Sequence, residues 1–504
     1  MITARKSYDR LCSLIRETVL LESVSALMQW DQETYMPAAG VDTRAEQLAL
    51  LARLAHEKYT EPVVGELLAE CEAAGLGADS ESAEAVNLRE VRRKYDRKTR
   101  VPDRLVEELA RTTAKAHAAW VEARRKSDFN HFRPWLEKVV ALCREKAEAY
   151  ATGDTLYDAL LDEYEVGERE KSLTELFATL AEGISGLLGK IKHAPLRHDT
   201  SIVSRGFPVD KQKEFGRRLA AEMGFDFSAG RLDEVVHPFC MRIGPGDTRI
   251  TSRFDPYHFG EGFFGILHET GHALYEQGLP AEHFGSALGE SVSLGIHESQ
   301  SRMWENLVGR SRPFWEYCFP IAQDYFTSVL QDVTLEAFLA AINEVKPSFI
   351  RVDADEITYN LHIILRFEIE RELLSGSLPV KELPAAWNRR FFELTGLEVP
   401  DDSQGCLQDI HWAWGAIGYF PTYTLGNVYA AQIFEAAGKA IPDLAGTIAR
   451  GEFKVLLNWL RENIHVHGMK YLPRELIKRV TGSDPDTGPL LTYLENKFSA
   501  LYRL

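Results

Sequence analysis

The chain carries two histidines at the spacing of a helical metal site. His268, Glu269 and His272 lie in the run GFFGILHETGHALYEQG. On a helix the two histidines would be one turn apart on one face, where both imidazoles can reach a single cation. Glu269 lies beside that face and could reach a water at the cation without ligating it. Because 15 histidines in 504 residues make this pattern rare by chance, about 0.04 matches per chain, the spacing predicts a metal site.

A catalytic zinc site needs a third protein ligand, and no third histidine follows at the metzincin spacing. The run SALGESVSLGIHESQSRMWENLVG reads instead as a second helix that carries several carboxylates. We favour Glu298, 26 residues after His272, because Gly295 one turn earlier leaves room for a close approach. Glu290 and Glu305 are the alternatives.

These residues must be positioned by a largely helical framework. Residues 5–195 form a succession of amphipathic patterns with apolar positions three and four apart, the period of one-sided helices. The segment around 235–260 changes to short alternating runs and predicts a β-hairpin, with strands from Cys240 to Ile243 and from Thr248 to Phe254. Helices resume at about 260. We therefore expect a mainly α fold, one large domain over residues 1–504 with two helical lobes around a groove.

Composition narrows the class of protein. The 58 basic and 75 acidic residues give a net charge of −17, so a nucleic acid partner is not expected. No apolar run approaches the length of a membrane span, and the first residues lack the pattern of a signal peptide. Six scattered cysteines without a CxxC pair favour a reducing compartment, which predicts a cytoplasmic protein.

The chain resembles the carboxypeptidase Taq family of metallocarboxypeptidases. The resemblance begins with HETGH followed by IHESQSRMWEN and extends over nearly the whole chain. The further motifs are WDQETYMP at 30–37, YDALLDEYE at 157–165, HPF at 237–239, DTRIT at 247–251, IRVDAD at 350–355 and GCLQDIHW at 405–412.

The resemblance implies a helical fold similar to neurolysin-type peptidases, with a deep groove over which the N-terminal helices 1–105 are a candidate lid. It also implies a homodimer and zinc or cobalt as the working metal. By match to the family pattern, His268, His272 and Glu298 become the metal ligands and Glu269 the general base.

The stretch QDIHWAWGAIGYFPTYTLGN offers hydrogen-bond donors for the oxyanion of peptide hydrolysis. His411 lies in the family motif. In neurolysin-like enzymes a histidine is followed by a tyrosine about three turns later, and Tyr423 is similar in placement. Tyr419 is the alternative donor, and an aromatic-rich core segment is the structural alternative for both tyrosines.

A carboxypeptidase also needs a cation for the terminal carboxylate of its substrate, and the planar fork of arginine suits it. Arg351 matches the family arginine for this task. An internal ion pair with Asp353 or Asp355 is the structural alternative. Arg249 is the reserve candidate, although Asp247 beside it suggests a hydrogen-bonded knot at the hairpin.

The sequence thus predicts a cytoplasmic metallocarboxypeptidase that removes single residues from peptides with broad specificity. An endopeptidase or dipeptidase on the same scaffold is the nearest alternative. A non-catalytic helical protein whose metal only joins two helices is the alternative from another class. Glu269 argues against that class, because a structural site has no use for an unligated carboxylate beside it. An exposed hairpin strand could pair with extended substrate.

Overall fold

The computed structural model describes residues 2–196 and 198–504, and its described part is mainly α-helical with one small sheet. The predicted fold class is therefore confirmed. The helices are α1 Ile2–Thr34, α2 Val41–Thr60, α3 Pro62–Ala73, α4 Ala83–Arg100, α5 Asp103–Lys126, α6 Phe129–Tyr150, α7 Leu156–Leu161, α8 Glu170–His193, α9 Val209–Met223, α10 Phe259–Gly278, α11 Leu294–Arg302, α12 Arg312–Tyr325, α13 Thr327–Leu330, α14 Leu335–Ile342, α15 Tyr359–Ser375, α16 Leu383–Thr395, α17 Pro421–Ala440, α18 Leu444–Ala449, α19 Lys454–Asn463, α20 Pro473–Thr481 and α21 Gly488–Tyr502.

The sheet has three strands in the order β1-β3-β2. They are β1 Gly230–Glu234, β2 Cys240–Gly244 and β3 Asp247–Ser252. Strands β2 and β3 form the predicted hairpin, and β3 ends at Ser252 rather than Phe254. Strand β1 pairs with β3 in parallel and was not predicted. Its sequence GRLDE contains a single large apolar residue, so it gives no alternating pattern.

The buried apolar side chains of the described residues form two separate clusters. The larger one draws buried residues from Val101 to Tyr502 and surrounds α10, α11, α15 and α17. The smaller one lies within α1–α4 and includes Leu11, Leu67 and Leu68. The N-terminal helices therefore have a core of their own. No helix in the described ranges has the length and hydropathy to span a membrane.

Two glycines let α10, α11 and α17 approach closely. A Cβ at Gly271 of α10 would lie 2.6 Å from the carbonyl oxygen of Gln300 in α11. A Cβ at Gly426 of α17 would lie 2.4 Å from Cγ of Glu298 in α11. These contacts bring Glu298 between the two neighbouring helices. A Cβ at Gly295, where the sequence pattern predicted a close approach, would lie 2.6 Å from Oε2 of Glu165, so this glycine admits Glu165 and not α10 or α17.

Candidate active site

Helices α10 and α11 bring three donor groups together. One ligand atom from each of His268, His272 and Glu298 can be chosen so that all lie within 4.8 Å of one another. Oε2 of Glu298 lies 3.7 Å from Nε2 of His268 and 3.4 Å from Nε2 of His272. A tetrahedral ion about 2.1 Å from each donor separates neighbouring donors by about 3.4 Å. The three residues therefore fit a divalent cation.

The electrostatics of this cluster favour positive charge. Burial would lower the pKa of His268, but Glu298 and Glu305 raise it to about 9. Burial, followed by the neighbouring His297, lowers the pKa of His272 to about 3. His272 is therefore neutral, as a metal ligand must be, and the negative potential that favours a proton on His268 also favours a cation.

Hydrogen bonds from α11 and the π-helical turn Met303–Val308 orient the donor groups. Oε2 of Glu305 lies 2.9 Å from Nδ1 of His268, the ring nitrogen remote from the cluster. Arg302 Nε donates to Oε1 of Glu298 at 2.7 Å, which leaves Oε2 directed at the histidines. Burial would raise the pKa of Glu305, but Arg302 and His268 lower it to about 2. Glu305 thus contacts the candidate ligand His268 through the ring nitrogen that faces away from the cluster.

His272 is oriented by a second histidine. Its Nδ1 lies 2.5 Å from Nδ1 of His297, and Nε2 of His297 lies 2.7 Å from Oε1 of Glu276. This chain of contacts occupies the ring nitrogen of His272 that is remote from Glu298. Outer hydrogen bonds of this kind fix the tautomer and orientation of a metal-binding histidine.

Glu269 is buried beside the three donors but is not one of the converging groups. Burial raises its pKa to about 7, with Glu298 adding to the effect and His268 opposing it. A bound cation would lower this pKa. A carboxylate that titrates near neutral pH is suited to accept and return a proton.

Three aromatic residues form a cluster near Glu298. The ring centroid of Tyr419 lies 5.3 Å from the ring centroid of His411 and 5.4 Å from that of Tyr423. The hydroxyl oxygen of Tyr423 lies 3.5 Å from Nε2 of His411. Tyr423 precedes Gly426 by one helical turn, so both lie on the face of α17 that meets Glu298. Burial raises the pKa of Tyr423 well above its ordinary value, so its hydroxyl keeps its proton and can donate it in a hydrogen bond.

Arg351 is buried in an ion-pair cluster that sequence reasoning did not find. Asp409 accepts from Nη2 of Arg351 at 2.8 Å and from Nε of Arg366 at 2.8 Å. Burial would raise the pKa of Asp409, but the two arginines hold it far below its usual range. The partner of Arg351 is thus Asp409, and the suggested pairing with Asp353 or Asp355 is wrong. Asp409 lies in the motif GCLQDIHW, which singles out this residue but does not indicate that it pairs with Arg351.

Arg249 lies where the sheet meets α1. Its Nε and Nη2 donate to the two carboxylate oxygens of Asp247 at 2.8 and 2.7 Å. Its guanidinium lies over the ring of Trp30, 4.2 Å from the centroid. The planar fork of Arg249 is therefore already occupied, in agreement with the knot suggested for this hairpin.

A helical fold with an HETGH run on one helix, and a glutamate from the next directed at both histidines, defines an HExxH metallopeptidase. The chain belongs to the family described as carboxypeptidase Taq (M32) metallopeptidase, whose sequence model matches residues 10–498. It is therefore an enzyme, a metal-dependent peptide hydrolase of the carboxypeptidase type.

Individual relatives match nearly the whole chain. Thermostable carboxypeptidase 1 of Thermus thermophilus is 50% identical over 510 residues, covering 99% of this chain and 100% of that protein. Carboxypeptidase 1 of Bacillus subtilis is 39% identical and covers 95% of each chain. The crystal structure of M32 carboxypeptidase from Deinococcus radiodurans R1 has a TM-score of 0.95 and 40% identity, and the match covers 99% of this chain and 100% of that one.

Proposed function

We propose that this enzyme releases single C-terminal residues from peptides with broad specificity, using a cation held by His268, His272 and Glu298. The observation that carries the proposal is the spacing of the donors, 3.4 and 3.7 Å between the imidazole nitrogens and the carboxylate oxygen. Two imidazoles and one carboxylate suit zinc in a catalytic site. Cobalt is the alternative metal.

The chemistry divides between the ion and Glu269. When bound, the ion supplies positive charge that favours ionisation of water and polarises the scissile carbonyl. Glu269 takes the proton of the attacking water and returns it to the departing nitrogen. Its burial beside the donors and its pKa near neutrality support this role.

Tyr423 and His411 donate hydrogen bonds to the carbonyl oxygen as negative charge develops on it. The protonated hydroxyl of Tyr423 and its position one turn from Gly426 support its role. Burial lowers the pKa of His411 to about 4, so its ring is neutral and has one N–H to donate. A donor aimed at this oxygen typically contributes about 10²–10³ in rate.

Arg351 binds the terminal carboxylate of the substrate. Arg351 has five N–H groups. Asp409 accepts from the N–H on Nε and from one N–H on Nη2, and the hydroxyl of Tyr359 accepts from one N–H on Nη1. The remaining two can face a carboxylate as a fork. The cluster of Arg351, Arg366 and Asp409 carries one excess positive charge, which favours an anionic ligand and hence an exopeptidase over an endopeptidase. The edge strand β2 can pair with the substrate backbone.

Three features of organisation belong to the same proposal. Residues 1–504 form one catalytic domain, in which the N-terminal helices 1–105 close over a groove. The separate apolar core of α1–α4 supports the proposal that these helices move as a unit. The enzyme is a homodimer, supported by exposed apolar residues at helical spacing on α1, namely Leu20, Val24 and Leu27. It is cytoplasmic, supported by six free cysteine thiols.

Replacing Glu269 by glutamine tests the proposed chemistry. Glu269→Gln should keep its metal and lower kcat by about 10²- to 10⁴-fold, the usual contribution of a general base. Glu261→Gln on the same helix, which alters a surface ion pair with Arg253, serves as the control. Metal content and steady-state rates are measured on both variants. Loss of metal from Glu269→Gln would make Glu269 a ligand, and retained kcat would assign the base elsewhere.

A further inference from the structure

Two buried glutamates outside the candidate site have no direct part in the proposed chemistry. Glu165 and Glu370 are both 0% exposed, and the hydrogen bonds that their carboxyl groups accept from described residues all come from neutral donors. Burial raises the pKa of Glu165 to about 8 and that of Glu370 to about 7. A carboxyl group buried without a cationic partner costs free energy unless its oxygens accept hydrogen bonds. Each of these groups accepts three.

Glu165 contacts the start of the helix that carries Glu298. Its Oε2 accepts from the backbone N–H of Gly295 at 2.9 Å, and its Oε1 accepts from the hydroxyl of Ser293 at 3.0 Å. Ser293 is the N-cap of α11, and its Oγ also accepts from the N–H of Ile296. The close contact between Gly295 and this carboxyl group leaves no room for another side chain at residue 295.

Glu165 also reaches α17, the helix of Tyr423. Its Oε1 accepts from the hydroxyl of Tyr429 at 3.2 Å. One carboxyl group therefore ties the first turn of α11 to α17. Glu298 lies one turn beyond Gly295, so a shift of that first turn would move the proposed metal ligand.

Glu370 makes the equivalent contacts with the loop of His411 and Tyr419. Its Oε1 accepts from Nε1 of Trp412 at 2.9 Å, and its Oε2 accepts from the N–H of Gly418 at 3.0 Å. Trp412 follows His411, and Gly418 precedes Tyr419. One carboxyl group thus fixes both ends of the segment 412–418, which lies between His411, a proposed hydrogen-bond donor, and Tyr419.

The two systems meet in the motif YDALLDEYE at residues 157–165, which the proposed chemistry does not use. Glu165 is its last residue, and its first, Tyr157, donates from its hydroxyl to Oε2 of Glu370 at 2.9 Å. Between them, Tyr164 contacts the ring of Tyr419 with centroids 5.2 Å apart. A Cβ at Gly418 would lie 2.9 Å from the backbone nitrogen of Leu161.

We infer that Glu165 and Glu370 are positioning residues for the two halves of the active site, linked to each other through Tyr157 and Tyr164 of segment 157–165. Glu165 orients α11 and so the metal ligand Glu298. Glu370 orients the loop that carries His411 and Tyr419. The inference rests on the proposed roles of those site residues. It predicts that the two glutamates affect different measurable steps.

The test compares Glu165→Gln, Glu370→Gln and a control. Asp158→Asn is a matched control, because Asp158 is a buried carboxylate whose donors among the described residues are the backbone N–H groups of Asp154, Thr155 and Glu170, the last at 2.6 Å. Zinc affinity is measured by competition with a chelator, and kcat and KM are measured with zinc in excess. Melting temperatures record any general loss of stability.

Glu165→Gln should weaken zinc binding about 10-fold, the lower end of what orienting hydrogen bonds contribute to metal affinity. Glu370→Gln should leave zinc affinity within about 2-fold of the parent and lower kcat at least about 10-fold, since a misplacement of 1 Å can cost about 10²-fold in rate. Asp158→Asn should change only the melting temperature. Equal zinc affinity in Glu165→Gln and Asp158→Asn would overturn the inference, as would an unchanged kcat in Glu370→Gln.

Milder variants cover the case in which a glutamine variant does not fold. Tyr429→Phe and Tyr157→Phe each remove one hydroxyl donor, to Glu165 and to Glu370 respectively. The first should weaken zinc binding and the second should lower kcat, and the reverse result would overturn the inference. Glu298→Ala separates the proposed ligand role of Glu298 from the positioning role of Glu165. Retained zinc in that variant would refute the ligand assignment, whereas loss of zinc there without an effect of Glu165→Gln would refute the positioning role alone.

Discussion

Replacing Arg351 by alanine should abolish the preference of the enzyme for a free C-terminal carboxylate. The Arg351 side chain is 8% exposed and lies against Asp409, which also pairs with Arg366 at 2.5 Å. Asp409 therefore keeps a cationic partner when Arg351 is removed. The substitution leaves no unpaired buried charge, so it tests recognition of the substrate more than folding.

The magnitude follows from the burial of the pair that the arginine would form with substrate. Removing one partner of a buried, hydrogen-bonded charge pair costs about 2–5 kcal/mol. The expected fall in kcat/KM is therefore about 30- to 5,000-fold. Amidating the C-terminus of the peptide removes the other partner and should cost the parent enzyme a comparable factor. Because both changes delete the same interaction, their losses should not add.

The assay measures kcat/KM for the acid and amide forms of one peptide. Three enzymes are compared at equal metal content: the parent, Arg351→Ala and Arg249→Ala. Arg249 is the control because its fork is already held by Asp247, so this variant should keep the preference for the acid. A strong acid preference in Arg351→Ala would make that residue structural. Loss of the preference in Arg249→Ala would transfer the role to Arg249, and equal cleavage of both peptides by the parent would favour an endopeptidase.

Three further predictions concern other groups of the site. Glu298→Ala should reduce metal affinity far more than Glu290→Ala or Glu305→Ala, because only Glu298 points at both imidazoles; metal titration of the three variants checks this, and equal retention would contradict it. Tyr423→Phe should lower kcat about 10²- to 10³-fold with little change in KM; an unchanged kcat in steady-state kinetics would return the role to Tyr419 or His411. Burial raises the pKa of Glu165 to about 8, so from about pH 5 to 8 this group is protonated in the folded chain and ionised in the unfolded one. The parent should then lose stability relative to Glu165→Gln by up to about 1.4 kcal/mol per pH unit as pH rises; melting temperatures in chelator measure this, and a difference independent of pH would contradict it.

The parts of the site that could be predicted are those encoded by local spacing. The four-residue step between His268 and His272 places both on one face of any helix, whatever surrounds it. The alternation around the Gly246 turn likewise indicates the hairpin. Both signals depend only on residues close in the chain, so tertiary packing was not needed to read them.

The remainder depends on contacts between distant segments. Asp409 meets Arg351 across 58 residues, and no periodicity in either segment indicates that pairing. Gly295 does allow the predicted close approach, but the group that approaches is Glu165, 130 residues earlier in the chain. Any of several glycines could serve, and only the crossing of α11 with α10 and α17 selects Gly271 and Gly426.

Strand β1 shows the limit of the alternating pattern. Its buried side chain is Asp233, which is held by Arg231 and the hydroxyl of Tyr35. A strand that buries a carboxylate instead of apolar side chains has no hydrophobic signature. Its pairing is set by the neighbouring β3 and by α1, neither of which is close in sequence.

Mass spectrometry of a peptide digest over time tests the central claim most directly. The enzyme is stripped with a chelator, restored with zinc or cobalt, and given one peptide as the free acid. The expected result is no product before the metal is restored and afterwards a ladder of peptides that shorten by one C-terminal residue at a time. Internal fragments, released dipeptides or full activity of the metal-free protein would contradict it.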